Sequence, residues 1–177
     1  MKKIELEIPE GKDVKWINNV LTLADEQPES IMDRVKSYED ACKVLGVEDY
    51  LNEPYPMMSM MGTDYDIPEN VIAMMKLELI VKALNEGWVA TEHMDEKWWY
   101  PWFYRFDKND ESKYEGRVLA CPNSGSSAYG GVAFADANFD ASSTVSFYGS
   151  RLALKSEELA RYCGKQFIQL WCDYLLG

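Results

Sequence analysis

Ile4, Leu6 and Ile8 alternate with Glu5 and Glu7, the period-two pattern of a half-buried strand. After a Pro9-Glu10-Gly11-Lys12 turn, the segments Val14 to Ile17 and Val20 to Leu23 flank Asn18-Asn19. Asparagine tolerates the left-handed backbone of a type I′ turn, so this spacing predicts a β-hairpin; a helix over 14–24 competes with it. Pro28 followed by Ile31, Met32 and Val35 predicts a helix within 28–36. Ser37 then offers an N-cap with Asp40 at the capping-box position, for a helix from Tyr38 to Leu45 closed by Gly46. Residues 47–67 read as an irregular loop, whose run Met57-Met58-Ser59-Met60-Met61 suits packing on an uneven core. From Pro68 to Glu86 the helical pattern is strongest. Val71, Ile72, Met75, Leu79, Ile80 and Ala83 form a broad apolar face, Glu78 and Lys82 stand at i,i+4, and Gly87 ends the run. A face this wide predicts a central position against a sheet.

Beyond Trp98 the pattern turns to strand. Trp98 to Phe106 is dense in β-favouring aromatics, with Pro101 marking an edge or a bulge. A charged loop over 107–116 precedes expected strands at Arg117 to Cys121, Val132 to Ala137, Thr144 to Tyr148 and Arg151 to Leu154. Ser156 caps a last helix that carries Leu159, Cys163, Phe167, Leu170, Trp171 and Tyr174 every three or four residues. Gly164 sits inside it at a cost of about 1 kcal/mol relative to alanine, which is explained most simply if another backbone approaches there. Helices and strands do not alternate regularly, so a doubly wound parallel sheet is not expected. The expected class is α+β: a mostly antiparallel sheet with helices packed on one face. It is expected as one domain over residues 1–177, with a hairpin and helices in 1–87 and an aromatic-rich sheet and helix in 88–177.

Composition narrows the function. Apolar residues make up 47% of the chain and aromatics 13%, enough for a large core. The net charge of −12 disfavours direct nucleic-acid binding and docking on anionic lipid, both of which need basic surface. No apolar run approaches the roughly 18 residues of a membrane span. Glu5, Glu7, Pro9 and Glu10 interrupt any secretory leader. Cys42, Cys121, Cys163 and Cys172 show no CxxC spacing and read as reduced core thiols of a cytoplasmic protein.

No motif names a reaction, and no catalytic residue, metal or cofactor is expected. The one histidine, His93, sits among acidic neighbours and reads as a solvated side chain. Asp64, Asp66 and Glu69 lack the glycine and distant glutamate of an EF-hand, and suit the N-terminal end of the helix after Pro68. The 123–131 loop is small, polar and glycine-rich, yet it meets neither nucleotide fingerprint. Such a loop beside the flat faces of Trp98, Trp99, Trp102 and Tyr104 can still bind sugars, peptides or bases. On an alternating strand only half the aromatics point one way, so one set enters the core and the other is left to solvent. Arg151, in a tight turn, either pairs with a carboxylate or holds an anion bidentately. Candidate ligand- or partner-binding residues are therefore Trp98, Trp102, Tyr104, Asn123, Ser126, Tyr129 and Arg151.

The stretches YPWFYRF, YGSRLALKSEELARYCGKQFIQLW, KLELIVKALNEGW and KSYEDACKVLG resemble a family of proteins of gut Bacteroidales and their phages. The resemblance implies a bacterial or phage intracellular setting and transfers no activity, cofactor or site residue. The expected function is a non-enzymatic binding or assembly protein, encoded by a mobile element or phage, with an unknown protein partner or small polar ligand. Two other classes stay open: an acidic mimic of nucleic acid that inhibits a DNA-binding protein, and a carboxylate-based hydrolase or transferase.

Overall fold

Ser37 and Gly46 delimit one helix at the residues their chemistry predicts. The Ser37 side chain accepts from the Asp40 N–H, and Gly46 takes the left-handed conformation (φ 65°) in which its N–H reaches back to the last carbonyls. That helix is α2 (Tyr38–Leu45), preceded by the short α1 (Ile31–Arg34). The computed structural model describes residues 7–9, 12–17, 20–25, 30–49, 51, 67–91, 96–123, 130–141 and 149–177. Outside them lie the Asn18-Asn19 turn, the methionine run, Asp64, Asp66, His93, Ser126, Tyr129 and the expected strand at Thr144 to Tyr148. So does all but the end of the expected strand over Ile4 to Ile8, where residues 7–9 carry no regular structure.

The chain divides into two compact units, Met1–Ser30 and Ile31–Gly177. In the first, β1 (Lys12–Ile17) pairs antiparallel with β2 (Val20–Asp25) from Lys12↔Asp25 to Ile17↔Val20, so two residues join the strands and the hairpin displaces the competing helix.

In the second unit, α3 (Glu69–Leu84) begins after Pro68 and ends at Asn85. The sheet holds β3 (Lys97–Phe106), β4 (Leu119–Ala120) and β5 (Gly131–Ala141) in the order β3-β5-β4, all antiparallel. Two helices follow, α4 (Glu157–Gln166) and α5 (Ile168–Leu176). The architecture is α+β, as the pattern predicted.

Several expectations change. The long helix α3 packs on α5 and α2, while α4 and α5 are the helices laid on the sheet; the wide apolar face of α3 is covered by other helices. The segment expected as a strand at Arg151 to Leu154 begins as a 3-10 turn, Ser150–Leu152. Leu152, Ala153 and Leu154 are all buried, which an alternating strand with one solvent face does not allow, and only Leu154 makes a β-bridge, to Trp99. The single C-terminal helix is broken at Phe167 (φ −109°), so that α4 meets β3 and β5 while α5 turns to α3. Ser156 caps α4 as expected, accepting from the Leu159 N–H. Finally, the close neighbours of Gly164 are side chains, those of Pro101 and Phe134.

The main core of this unit draws on both halves of the sequence. Val35, Tyr38 and Ala41 meet Leu77, Ile80 and Leu84 from α3, and Leu159, Cys163 and Trp171 from α4 and α5. A smaller cluster of Ala120, Val132, Phe134, Ile168 and Cys172 lies between α5 and the sheet. Burial pushes the Cys163 and Cys172 thiols up to about 12, so both behave as apolar side chains. Cys121 differs from the expected core thiol, being exposed.

Candidate functional site

The open face of the sheet is set by the pairing of β3 with β5. Successive strand residues point to opposite faces. The register runs without interruption from Lys97↔Ala141 to Trp102↔Asp136, then slips so that Phe103 pairs with Phe134. Ala135 is thus an extra residue on β5, and the alternation of β3 continues through it. Trp99, Pro101 and Phe103 share the helix side: Phe103 stands 5.6 Å from the Trp171 ring, and Pro101 lies against Gly164. Trp98, Tyr100, Trp102, Tyr104 and Phe106 share the other.

Three of those five are engaged. The Tyr100 hydroxyl, on a buried side chain, donates to the Gly149 carbonyl at 3.3 Å. Phe106 is buried with its ring 5.6 Å from Tyr114. The Trp98 indole N–H donates to Glu96 at 3.1 Å. That carboxylate also accepts from the Trp88 indole (3.0 Å) and from the Thr91 N–H (2.7 Å) and hydroxyl (2.8 Å). The Thr91 N–H first, then the three side-chain donors, hold Glu96 below the usual carboxylate range.

Trp102 and Tyr104 are left, 51% and 48% exposed, two residues apart on one face. Tyr104 is backed by the Tyr114 ring at 5.7 Å and by the Arg117 guanidinium at 5.2 Å from its centroid. Arg117 is seated by the bulge itself, since its Nη1 donates to the carbonyls of Phe134 (3.0 Å) and Ala135 (3.1 Å). Among the described residues the Trp102 ring has no stacking partner and its indole N–H no acceptor. The face is therefore a fixed platform of Tyr104, Tyr114 and Arg117 beside one bare tryptophan.

The remaining candidates are placed elsewhere. Asn123 is a structural tie: its N–H and its Nδ2 donate to the two Asp173 carboxylate oxygens at 3.1 and 2.9 Å, fastening this residue to α5. Arg151 extends from the 3-10 turn towards α3, with Glu78 at 3.8 Å, and among the described residues Glu78 and Lys82 do not form the i,i+4 pair their spacing allows. Ser126 and Tyr129 lie outside the described residues. Glu69, of the carboxylate cluster, is exposed in the first turn of α3. Among the described residues no three His, Cys, Asp or Glu side chains come together to hold a metal, and no helix is long and apolar enough to cross a membrane. Tyr114 and Arg117 escaped sequence reasoning because Tyr114 reaches the strand only through the 3-10 turn Glu111–Tyr114, and Arg117 acts through a bulge whose only trace is the irregular apolar spacing around Ala135. No protein-family model, no curated protein and no solved structure matches this chain.

Proposed function

We propose that this chain is a binding or assembly protein, without a reaction of its own, that engages a basic protein partner through the open face of its sheet. One observation carries the reading: Trp102 projects half-exposed from a rigid strand, next to a supported Tyr104. Tryptophan anchors of this kind dominate the energy of many interfaces. The net charge of −12 favours encounter with a positively charged surface. An intracellular setting in a bacterium or its phage fits the family likeness.

Covering the exposed half of an indole of roughly 250 Å² removes about 125 Å² from water, which contributes about 3 kcal/mol at 25 cal/mol per Å². The test is capture of host proteins by the purified full chain, by Trp102→Ala and Tyr104→Ala, and by Lys108→Ala as an exposed control. Both aromatic variants should stay folded at the assay temperature, and Trp102→Ala, at about 3 kcal/mol, should lose the partner about 150-fold. Undiminished capture by Trp102→Ala removes the proposal.

A further inference from the structure

The C-terminal half of α3 borders a depression of about 300 Å³. Glu78, Lys82 and Asn85 line it from the helix, Trp88 and Val89 from the segment beyond, and Arg151 from across the gap. Residues 78, 82 and 85 recur at helical spacing and so share one face.

The wall carrying Arg151 is tied down. Gly149 takes φ 69°, a conformation that favours glycine, and starts the turn. Leu154 exchanges two backbone hydrogen bonds with Trp99, at 2.9 and 3.0 Å. Asn85, buried, donates to the Ala153 carbonyl at 2.8 Å and accepts from the Lys155 N–H at 3.0 Å, and Lys155 pairs with Glu86 at 2.9 Å. Yet the Arg151 side chain is 75% exposed, and among the described residues the carboxylate that neighbours it, Glu78, stands at 3.8 Å, beyond hydrogen-bond length. On the opposite side the Trp88 indole is oriented by Glu96. The backbone that carries this underused guanidinium is fixed, so only the Arg151 side chain has to order when a ligand binds. The signs matter too: two cations and one carboxylate line this concavity, a local reversal in a chain of net charge −12. The negative end of the α3 dipole opposes an anion here. It is offset by Lys82 and by the Asn85 and Glu86 N–H groups, which bond the Val81 and Ala83 carbonyls.

We propose that this depression binds a small organic anion. Arg151 and Lys82 hold a carboxylate or phosphate head, and an apolar body lies on Trp88 and Val89. The site is separate from the open sheet face, so each proposal stands or falls alone.

The test is an NMR titration of the full chain with benzoate and phenyl phosphate, following the Trp88 indole N–H and the Arg151 Nε–H. Acetate and inorganic phosphate supply the heads alone, and benzyl alcohol is the uncharged control. At least one ring-bearing anion should bind saturably, more tightly than its bare head, and more weakly as salt rises; the tighter of the two names the head. Arg151→Gln should weaken it about tenfold, equal to about 1.4 kcal/mol. Glu78→Gln, which removes the competing carboxylate, should tighten it. Any of four results overturns the proposal: no saturation by either anion, equal binding of benzyl alcohol, wild-type affinity in Arg151→Gln, or weaker binding in Glu78→Gln.

Discussion

Replacing Gly164 by alanine sets two effects of opposite sign against each other at one atom. In a helix interior alanine is favoured over glycine by about 1 kcal/mol. Here the new Cβ would stand 2.5 Å from Pro101 Cβ, and 2.7 and 2.9 Å from Phe134 Cε2 and Cδ2. Ordinary carbon contacts lie at about 3.5–4.0 Å, so α4 must back away from the sheet by roughly 1 Å. Neither neighbour yields cheaply. Pro101 is a rigid ring on a buried strand position, and the Phe134 ring is held edge-on to Phe103 at 6.1 Å. Overpacking typically costs about 1–3 kcal/mol, and two constrained neighbours put this site near the upper end. The net expectation is a loss of about 1–2 kcal/mol, or about 2–8 °C in thermal midpoint at about 2–4 °C per kcal/mol for a chain of this size. Urea and thermal unfolding followed by far-UV circular dichroism measure it, and an unchanged urea slope would confirm that the unfolded state is unaltered. Shrinking the ring with Phe134→Leu in the same chain should relieve part of the loss, giving a coupling of about 1 kcal/mol in a double-mutant cycle. A Gly164→Ala protein as stable as the parent, or more so, would refute the packing described here.

Asn85→Ala leaves the buried Ala153 carbonyl and the Lys155 N–H without their side-chain partners; at about 1–3 kcal/mol per unsatisfied group it should cost about 2–4 kcal/mol by urea unfolding, and a cost under about 0.5 kcal/mol would show the latch to be idle. The depressed pKa of Glu96 is stabilising above the unfolded carboxylate pKa, and that contribution disappears as pH falls through the folded value. Glu96→Gln should therefore lower the thermal midpoint at neutral pH, with a gap that narrows as pH falls through the carboxylate's folded pKa; a gap of constant size down to acid unfolding would contradict this. Native protein treated with a thiol-reactive disulfide should label quickly at Cys121 alone, because Cys42, Cys163 and Cys172 are buried and the last two stay protonated with thiols near 12, and all four should react after unfolding.

The features legible in the sequence are those whose partners lie within one turn. Ser37 and Ser156 cap helices by reaching an N–H three residues on, Gly46 ends one because it alone accepts a left-handed turn without strain, and the Ile17↔Val20 pairing follows from the two residues between them. Each of these needs only its neighbours in sequence. Features that depend on distant partners read less clearly. The wide apolar face of α3 states how much surface must be covered, and helices α2 and α5 cover it as well as a sheet would. Leu152, Ala153 and Leu154 have the apolar character of a strand, yet their consecutive burial is dictated by Asn85 and Trp99, remote in sequence. Arg117 takes its role from a bulge on a strand it does not belong to.

The tryptophan-rich strand shows why a site can be half legible. Its period of two requires that one set of aromatics face inward and the other outward, and a shift of one residue exchanges the sets completely. Nothing in Trp98 to Phe106 chooses between them. The choice is made by Gly164, 63 residues beyond Pro101, where α4 approaches closely enough that only a compact side chain fits beneath it. Pro101 fits; Tyr100 or Trp102 in its place would collide with the helix backbone. Trp99, Pro101 and Phe103 therefore turn inward together, and Trp102 and Tyr104 turn outward in consequence. The contact that makes alanine at position 164 costly is thus the same one that presents Trp102 to solvent, so a change that forces α4 off the sheet should loosen the binding face along with the core.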